Sequence, residues 1–152
     1  MRSRPCNRLL ACAGILIGSC SGSLSWAGAI LDGSTGTDTA GMAFSGDMVI
    51  SHEVGDIKES GSNTNLFHSF SDFNINLGES ATFTGPGSID NVVTRVTGSG
   101  STTFNGTLTA LIDPSTGQLT GANFYFINPN GLIFKEGANL NIGGAFFATT
   151  SD

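Results

Sequence analysis

The chain has 152 residues, a formal net charge of −6 and only 12% charged residues. That length holds one domain at most, and the acidic balance excludes the basic face that a nucleic-acid binder needs. Its 22 glycines, with abundant Ser, Thr and Asn, suit turns and β-rich surfaces over helices, while short runs of Phe, Ile, Val and Leu argue against disorder.

In chain order, the first segment is of a different kind. Arg2, Arg4 and Arg8 precede the apolar stretch LLACAGILIG (residues 9–18), and small residues follow. A basic start, an apolar middle and a small-residue end describe a secretory signal peptide. The apolar run falls short of the roughly 20 residues of a bilayer-spanning helix. Residues 1–29 are therefore expected to be a signal peptide handled by the Sec machinery, and residues 30–152 the mature domain. Small residues at −3 and −1 fit cleavage after Ala27 (Ser25-Trp26-Ala27) and also after Ala29 (Ala27-Gly28-Ala29). Ile17-Gly18-Ser19-Cys20 forms a loose lipobox that would lipidate Cys20, but the small-x-small sites further on are the better match. Cleavage removes Cys6, Cys12 and Cys20, hence all thiol and disulfide chemistry. It also removes three of the six basic residues and none of the 12 acidic ones, so Lys58, Arg95 and Lys135 face 12 acids, a net −9. That balance fits an exported acidic protein.

Residues 30–46 are turn-rich, and 47–52 read as a short strand. Residues 58–64 are polar and read as a loop. Phe73, Ile75 and Leu77 alternate with Asn74 and Asn76, the period of a half-buried strand. Leu66, Phe67 and Phe70 fit a bend or short strand and are expected in the core or under a cap. Further strands are expected at 81–84, 89–96, 102–104, 107–112, 122–127, 132–134, 140–142 and 145–149, each bounded by Gly, Asn, Asp or Pro. No stretch carries a convincing amphipathic helix. Many short strands leave a β-sandwich or a parallel β-helix with coils of roughly 20 to 25 residues. Asparagine amides can bond from rung to rung in such coils, and Asn105, Asn123, Asn128, Asn130, Asn139 and Asn141 lie at or near expected strand ends. Composition leaves both architectures open.

No catalytic constellation stands out. Asp72, Asp90 and Asp113 are candidate acids, yet none forms the facing pair that glycoside hydrolysis requires. Arg95, Lys58 and Lys135 are few for a polyanionic sugar. His52 lies beside Glu53 without further ligands at metal spacing. His68, among aromatics, is expected to be packed and hydrogen-bonded. No enzyme activity, cofactor or metal is expected. Asn128-Pro129-Asn130-Gly131 reads as a turn: Pro129 pre-sets φ, the Asn side chains bond nearby backbone, and Gly131 tolerates φ > 0.

Two stretches carry a resemblance, NLFHSFSDFNINLGESATF (residues 65–83) and FINPNGLIFKEGANLNIGGAFFATTSD (residues 126–152). They resemble the N-terminal secretion domain of filamentous-haemagglutinin-type exoproteins, the passengers of two-partner secretion in Gram-negative bacteria. IDNVVTRVTG (residues 89–98) resembles the segment placed between them, and AILDGS (residues 29–34) the mature start. The resemblance implies an all-β fold, a right-handed parallel β-helix with antiparallel capping strands. It implies a partner, the outer-membrane TpsB transporter of the Omp85 type, whose POTRA domains bind the secretion domain. It implies two secretion motifs: Asn65, Leu66, Phe67, His68, Ser69 and Phe70, then the turn Asn128, Pro129, Asn130 and Gly131, of the Asn-Pro-Asn-Gly type. The product is then expected to be secreted or at the cell surface. Relatives continue with more β-helix beyond the position of Asp152, so the domain is expected to be incomplete, with an open last coil prone to self-association. The alternatives are a lipid-anchored or free β-helical adhesin or carbohydrate-binding fragment without a secretion role, or a truncated gene product.

Overall fold

A computed structural model describes residues 28–151. The strands are β1 (Ala29–Leu31), β2 (Ala43–Phe44), β3 (Asp47–Ser51), β4 (Asp56–Ser60), β5 (Asn63–Phe73), β6 (Ser80–Gly85), β7 (Asn91–Val96), β8 (Thr102–Phe104), β9 (Thr107–Ile112), β10 (Asn123–Ile127), β11 (Leu132–Phe134), β12 (Asn139–Asn141) and β13 (Phe146–Thr149). Among the described residues the sole helical element is a 3-10 turn, His52–Val54.

Three sheets are built from them. The first runs β13-β10-β7-β5-β1-β2, with β4 also on β5; the second runs β12-β9-β6-β3; the third pairs β11 with β8. Ile75 extends the third sheet by bridging to Phe104. The chain visits the three sheets repeatedly in one order, and the successive strands β5, β7, β10 and β13 pair in parallel. The other two sheets are parallel throughout. Antiparallel pairing is confined to β1, β2 and β4 along the N-terminal edge. Parallel sheets rule out the sandwich, which is antiparallel.

The strands β3, β6, β7, β8, β9 and β10 alternate buried and outward residues, so the three sheets face one core. Phe73 shows this most directly. Its ring lies 6.1 Å from Phe83, 6.3 Å from Phe104 and 5.2 Å from Phe126 between centroids, so one side chain touches all three sheets. Each fully buried ring contributes about 1.5–3 kcal/mol of hydrophobic stabilisation, and favourable aromatic pairs about 0.5–1.5 kcal/mol more.

An asparagine ladder fixes the register on the first sheet. Asn91 Nδ2 donates to Asn65 Oδ1 at 2.9 Å, and Asn123 Nδ2 to Asn91 Oδ1 at 3.0 Å. The Ala145 amide closes the row on Asn123 Oδ1 at 3.0 Å. Of the strand-end asparagines read from sequence, Asn123 belongs to this ladder. Asn105 does a similar service elsewhere, accepting from the Gly137 amide at 3.2 Å.

Several expected boundaries are corrected. Residues 58–64 are not a loop: β4 and β5 form a hairpin with Ser60 opposite Asn63. Its polar residues lie at an exposed edge, where no apolar alternation is needed to hold a strand. Residues 65–73 belong to one long strand. Leu31 pairs with Phe70 and Ile30 with Asp72, so Ser71 is an extra residue in β5. The bulge switches the inward face from Leu66, His68 and Phe70 to Phe73 and Ile75, the usual effect of one inserted residue. Leu77, expected to continue that buried row, is 74% exposed because the chain turns there, with the Glu79 amide bonding the Asn76 carbonyl.

Candidate functional site

The Asn128–Gly131 segment leaves β10 as a tight turn. The Gly131 amide donates to the Asn128 carbonyl at 3.1 Å, with Pro129 at the position where its fixed φ is favoured. Gly131 has φ 115, so glycine is needed for conformation; a Cβ would meet only Ser101 Cβ at 3.8 Å. Asn128 is fully buried. Its Nδ2 donates to the Gly100 carbonyl at 3.0 Å and to Thr102 Oγ1 at 2.9 Å. Its Oδ1 accepts from the Asn130 amide at 2.9 Å. Asn130 Nδ2 reaches the Gly98 carbonyl at 2.7 Å. The turn is thus bound to the loop between β7 and β8, and the Thr102 amide bonds back to the Gly131 carbonyl at 3.0 Å.

That loop in turn rests on the first motif. The Thr97 amide donates to the Phe70 carbonyl at 2.8 Å. Gly98 lies so close to β5 that a Cβ would sit 1.9 Å from the Ser71 carbonyl oxygen, so a side chain cannot be placed there without moving backbone. Asp32, just after β1, joins the elements. Its Oδ2 accepts from Ser69 Oγ and from Thr97 Oγ1, both at 2.7 Å, and its Oδ1 accepts from the Ser34 amide at 2.9 Å. A continuous polar corner therefore runs from Ser69 through Asp32 and Thr97–Gly98 to Asn130 and Asn128. Sequence reasoning finds the two motifs but not the residues joining them. Asp32-Gly33-Ser34 offers a local signal, an Asx-type turn; Thr97 and Thr102 offer none.

Partial burial alone would raise the Asp32 carboxyl. The hydrogen bonds from Ser69, Ser34 and Thr97 outweigh it and hold the pKa near about 2. Its folded value lies below the ordinary 3.8, so its stabilisation is present above that pH and is lost as pH falls toward about 2. Asp32→Asn is expected to lower stability by about 1 kcal/mol at neutral pH, the solvent-screened size for a carboxylate in contact with water. It is also expected to speed hydrogen exchange in β1. Unchanged exchange there would show that Asp32 does not hold the N-terminal edge.

Within the first motif, Leu66 and Phe70 have no exposed surface and lie in the core, as expected. Phe67 is corrected: it faces outward and lines a shallow groove with Val93, Arg95 and Ile127, because alternation gives it the opposite face to Leu66. Ser69 is buried under the Asp32 loop, and Asn65 starts the ladder. His68 is 1% exposed between Phe70 and Phe83, 5.2 Å from the Phe83 ring centroid. It is packed but, contrary to expectation, not hydrogen-bonded; neither ring nitrogen has a partner. Phe134 is 47% exposed and stacks on Phe104 at 4.8 Å, because it lies in the outermost described layer.

The candidate acids are held in structural hydrogen bonds. Asp90 Oδ2 accepts from the Thr64 amide at 2.8 Å, Asp72 Oδ1 from Asn74 Nδ2 at 3.0 Å, and Asp113 from Ser115 Oγ. Among the described residues no group of three His, Cys, Asp or Glu side chains is placed to hold a metal ion. Ala27, Cys20 and the rest of the expected signal peptide up to residue 27 lie outside the described residues.

Parallel sheets tied by an asparagine ladder, and a polar corner that joins two separate sequence motifs, define an all-β domain. The family model described as the TPS secretion domain matches residues 27–152. The chain belongs to that family, the secretion-targeting domains of two-partner secretion exoproteins. Among curated proteins and among solved structures, nothing matches.

Proposed function

We propose that this chain is an export address read by the POTRA domains of an Omp85-type TpsB transporter in the outer membrane, and that it carries no catalytic activity. The N-terminal signal peptide, residues 1–29 as read from sequence, takes it through the Sec machinery to the periplasm, and the transporter then delivers it to the medium or cell surface. The three-sheet circuit is read as a right-handed parallel β-helix, with β1, β2 and β4 as its antiparallel cap, and the turn as the Asn-Pro-Asn-Gly type. The supporting observation is the polar corner: both motifs meet there through Asp32 and the β7–β8 loop. A transporter touching that corner senses whether the N-terminal edge and the later layers have both formed.

The test is a pull-down of residues 28–152 with purified POTRA domains. Wild type is compared with Asn130→Ala and Asn128→Ala/Asn130→Ala, with circular dichroism on each. Binding by wild type and loss of binding in a folded Asn130→Ala protein supports contact at the turn. If that folded variant binds like wild type, the turn is structural only. If folded wild type binds no transporter, the export reading fails.

One observation favours an added property, self-association. Phe134 and Phe147 are 47% and 49% exposed on the last layer, where β11, β12 and β13 pair on one side only among the described residues. Unpaired edges with apolar neighbours invite pairing with a second copy. Sedimentation of residues 28–152 is expected to show oligomers whose weight grows with concentration, and a monomer at every concentration refutes this.

A further inference from the structure

The two candidate cleavage positions are not equivalent in the fold. Gly28 is buried, and Ala29 and Leu31 have no exposed surface. The Gly28 amide donates to the Phe44 carbonyl at 2.7 Å, and its carbonyl accepts from the Asn74 amide. Ala29 pairs with Phe44 on one side and with Phe73 on the other. The seat is closed: a Cβ on Gly28 would lie 2.9 Å from Met48 Sδ and 3.0 Å from the Asn74 carbonyl oxygen.

A cut after Ala27 preserves every one of these contacts, since the freed amine of Gly28 keeps an N–H for the Phe44 carbonyl. A cut after Ala29 removes both residues. It strips the Phe44 carbonyl and the Asn74 amide of partners and uncovers the core beside Phe73. Buried polar groups without partners and exposed core surface are both unfavourable.

We propose that the chain is processed between Ala27 and Gly28, so that the mature protein begins at Gly28 and its first residues are a structural strand. The proposal rests on reading the N-terminal segment as an export leader. The step is hydrolysis: water adds across the Ala27–Gly28 amide, Ala27 leaves as a carboxylate and the Gly28 nitrogen becomes the α-amino group. The peptidase class is one that accepts small side chains at −3 and −1, here Ser25 and Ala27. The family match begins at residue 27, one residue before the proposed mature start.

The test expresses the full chain in a Gram-negative host and sequences the N-terminus of the protein recovered from envelope and medium. A Gly28 start is expected. A start at Ile30, at Cys20 or anywhere else overturns the proposal while leaving an export leader in place. An uncut chain beginning at Met1 overturns the leader reading with it. In parallel, purified chains beginning at Gly28 and at Ile30 are compared by thermal unfolding. The Ile30 chain is expected to melt lower by roughly 5 °C or more, and equal midpoints overturn the proposal that Gly28 and Ala29 belong to the fold.

Discussion

Replacing Asn128 with alanine is expected to lower the stability of the domain by about 3 kcal/mol, equivalent to a fall on the order of 10 °C in midpoint for a domain of this size. The side chain is fully buried and satisfies the Gly100 carbonyl, Thr102 Oγ1 and the Asn130 amide together. Alanine leaves three polar groups short of a partner, in a site too closed for each to regain water. Asn130→Ala is the matched control. Its side chain is exposed and bonds mainly the Gly98 carbonyl, which can turn to water, so the loss is expected to stay near about 1 kcal/mol. Urea unfolding with unchanged slope measures both. If the two variants prove equally stable, Asn128 does not hold the corner.

The second large effect concerns pH. Burial disfavours the charged form of His68 and pushes its pKa down from 6.5 to about 4. The Val54 backbone pulls the other way, and His52 adds to the depression. The folded value lies below the unfolded one, so the fold favours the neutral ring. The associated stability is complete above about pH 6.5 and is lost as pH falls toward 4, by about 3 kcal/mol in all. His68→Leu is expected to flatten the stability profile across that window and to gain about 1–2 kcal/mol at neutral pH, by removing a buried imidazole with no partner. Thr94, opposite His68 on β7, also has a buried unpartnered hydroxyl. A variant that loses stability at pH 7, or keeps the acid-sensitive slope, would refute this account of His68.

The strands were largely legible because their signal is local. Thr102–Phe104, Thr107–Ile112 and Leu132–Phe134 appear where alternation and punctuation place them. The Asn128 turn was legible for the same reason. What stayed hidden depends on partners far along the chain. Thr97 and Asp32 are 65 residues apart, and the ladder links residues 26 and 32 apart. No window contains both members of such a pair. The bulge at Ser71 disguised β5 by breaking its period midway, which made Phe67 look like a core residue. The β4 strand offered a single apolar residue, Ile57, and no alternation. His68 looked satisfiable in sequence, since nothing there shows that β5 buries it among phenylalanine rings.

The unequal spacing of the ladder has a practical side. Successive rungs are separated by 26, 32 and 22 residues, yet their register is unbroken. The longest interval holds the exposed Pro114–Leu119 stretch, which projects from the corner between β9 and β10. Strand order here is set by side-chain rungs and core packing, and the contour length between them is free to vary. That corner is therefore a natural graft position: an epitope or fluorophore-binding peptide inserted after Thr116 would ride on the outside of the domain, giving a tracer of its passage that leaves both motifs and the N-terminal strand as they are.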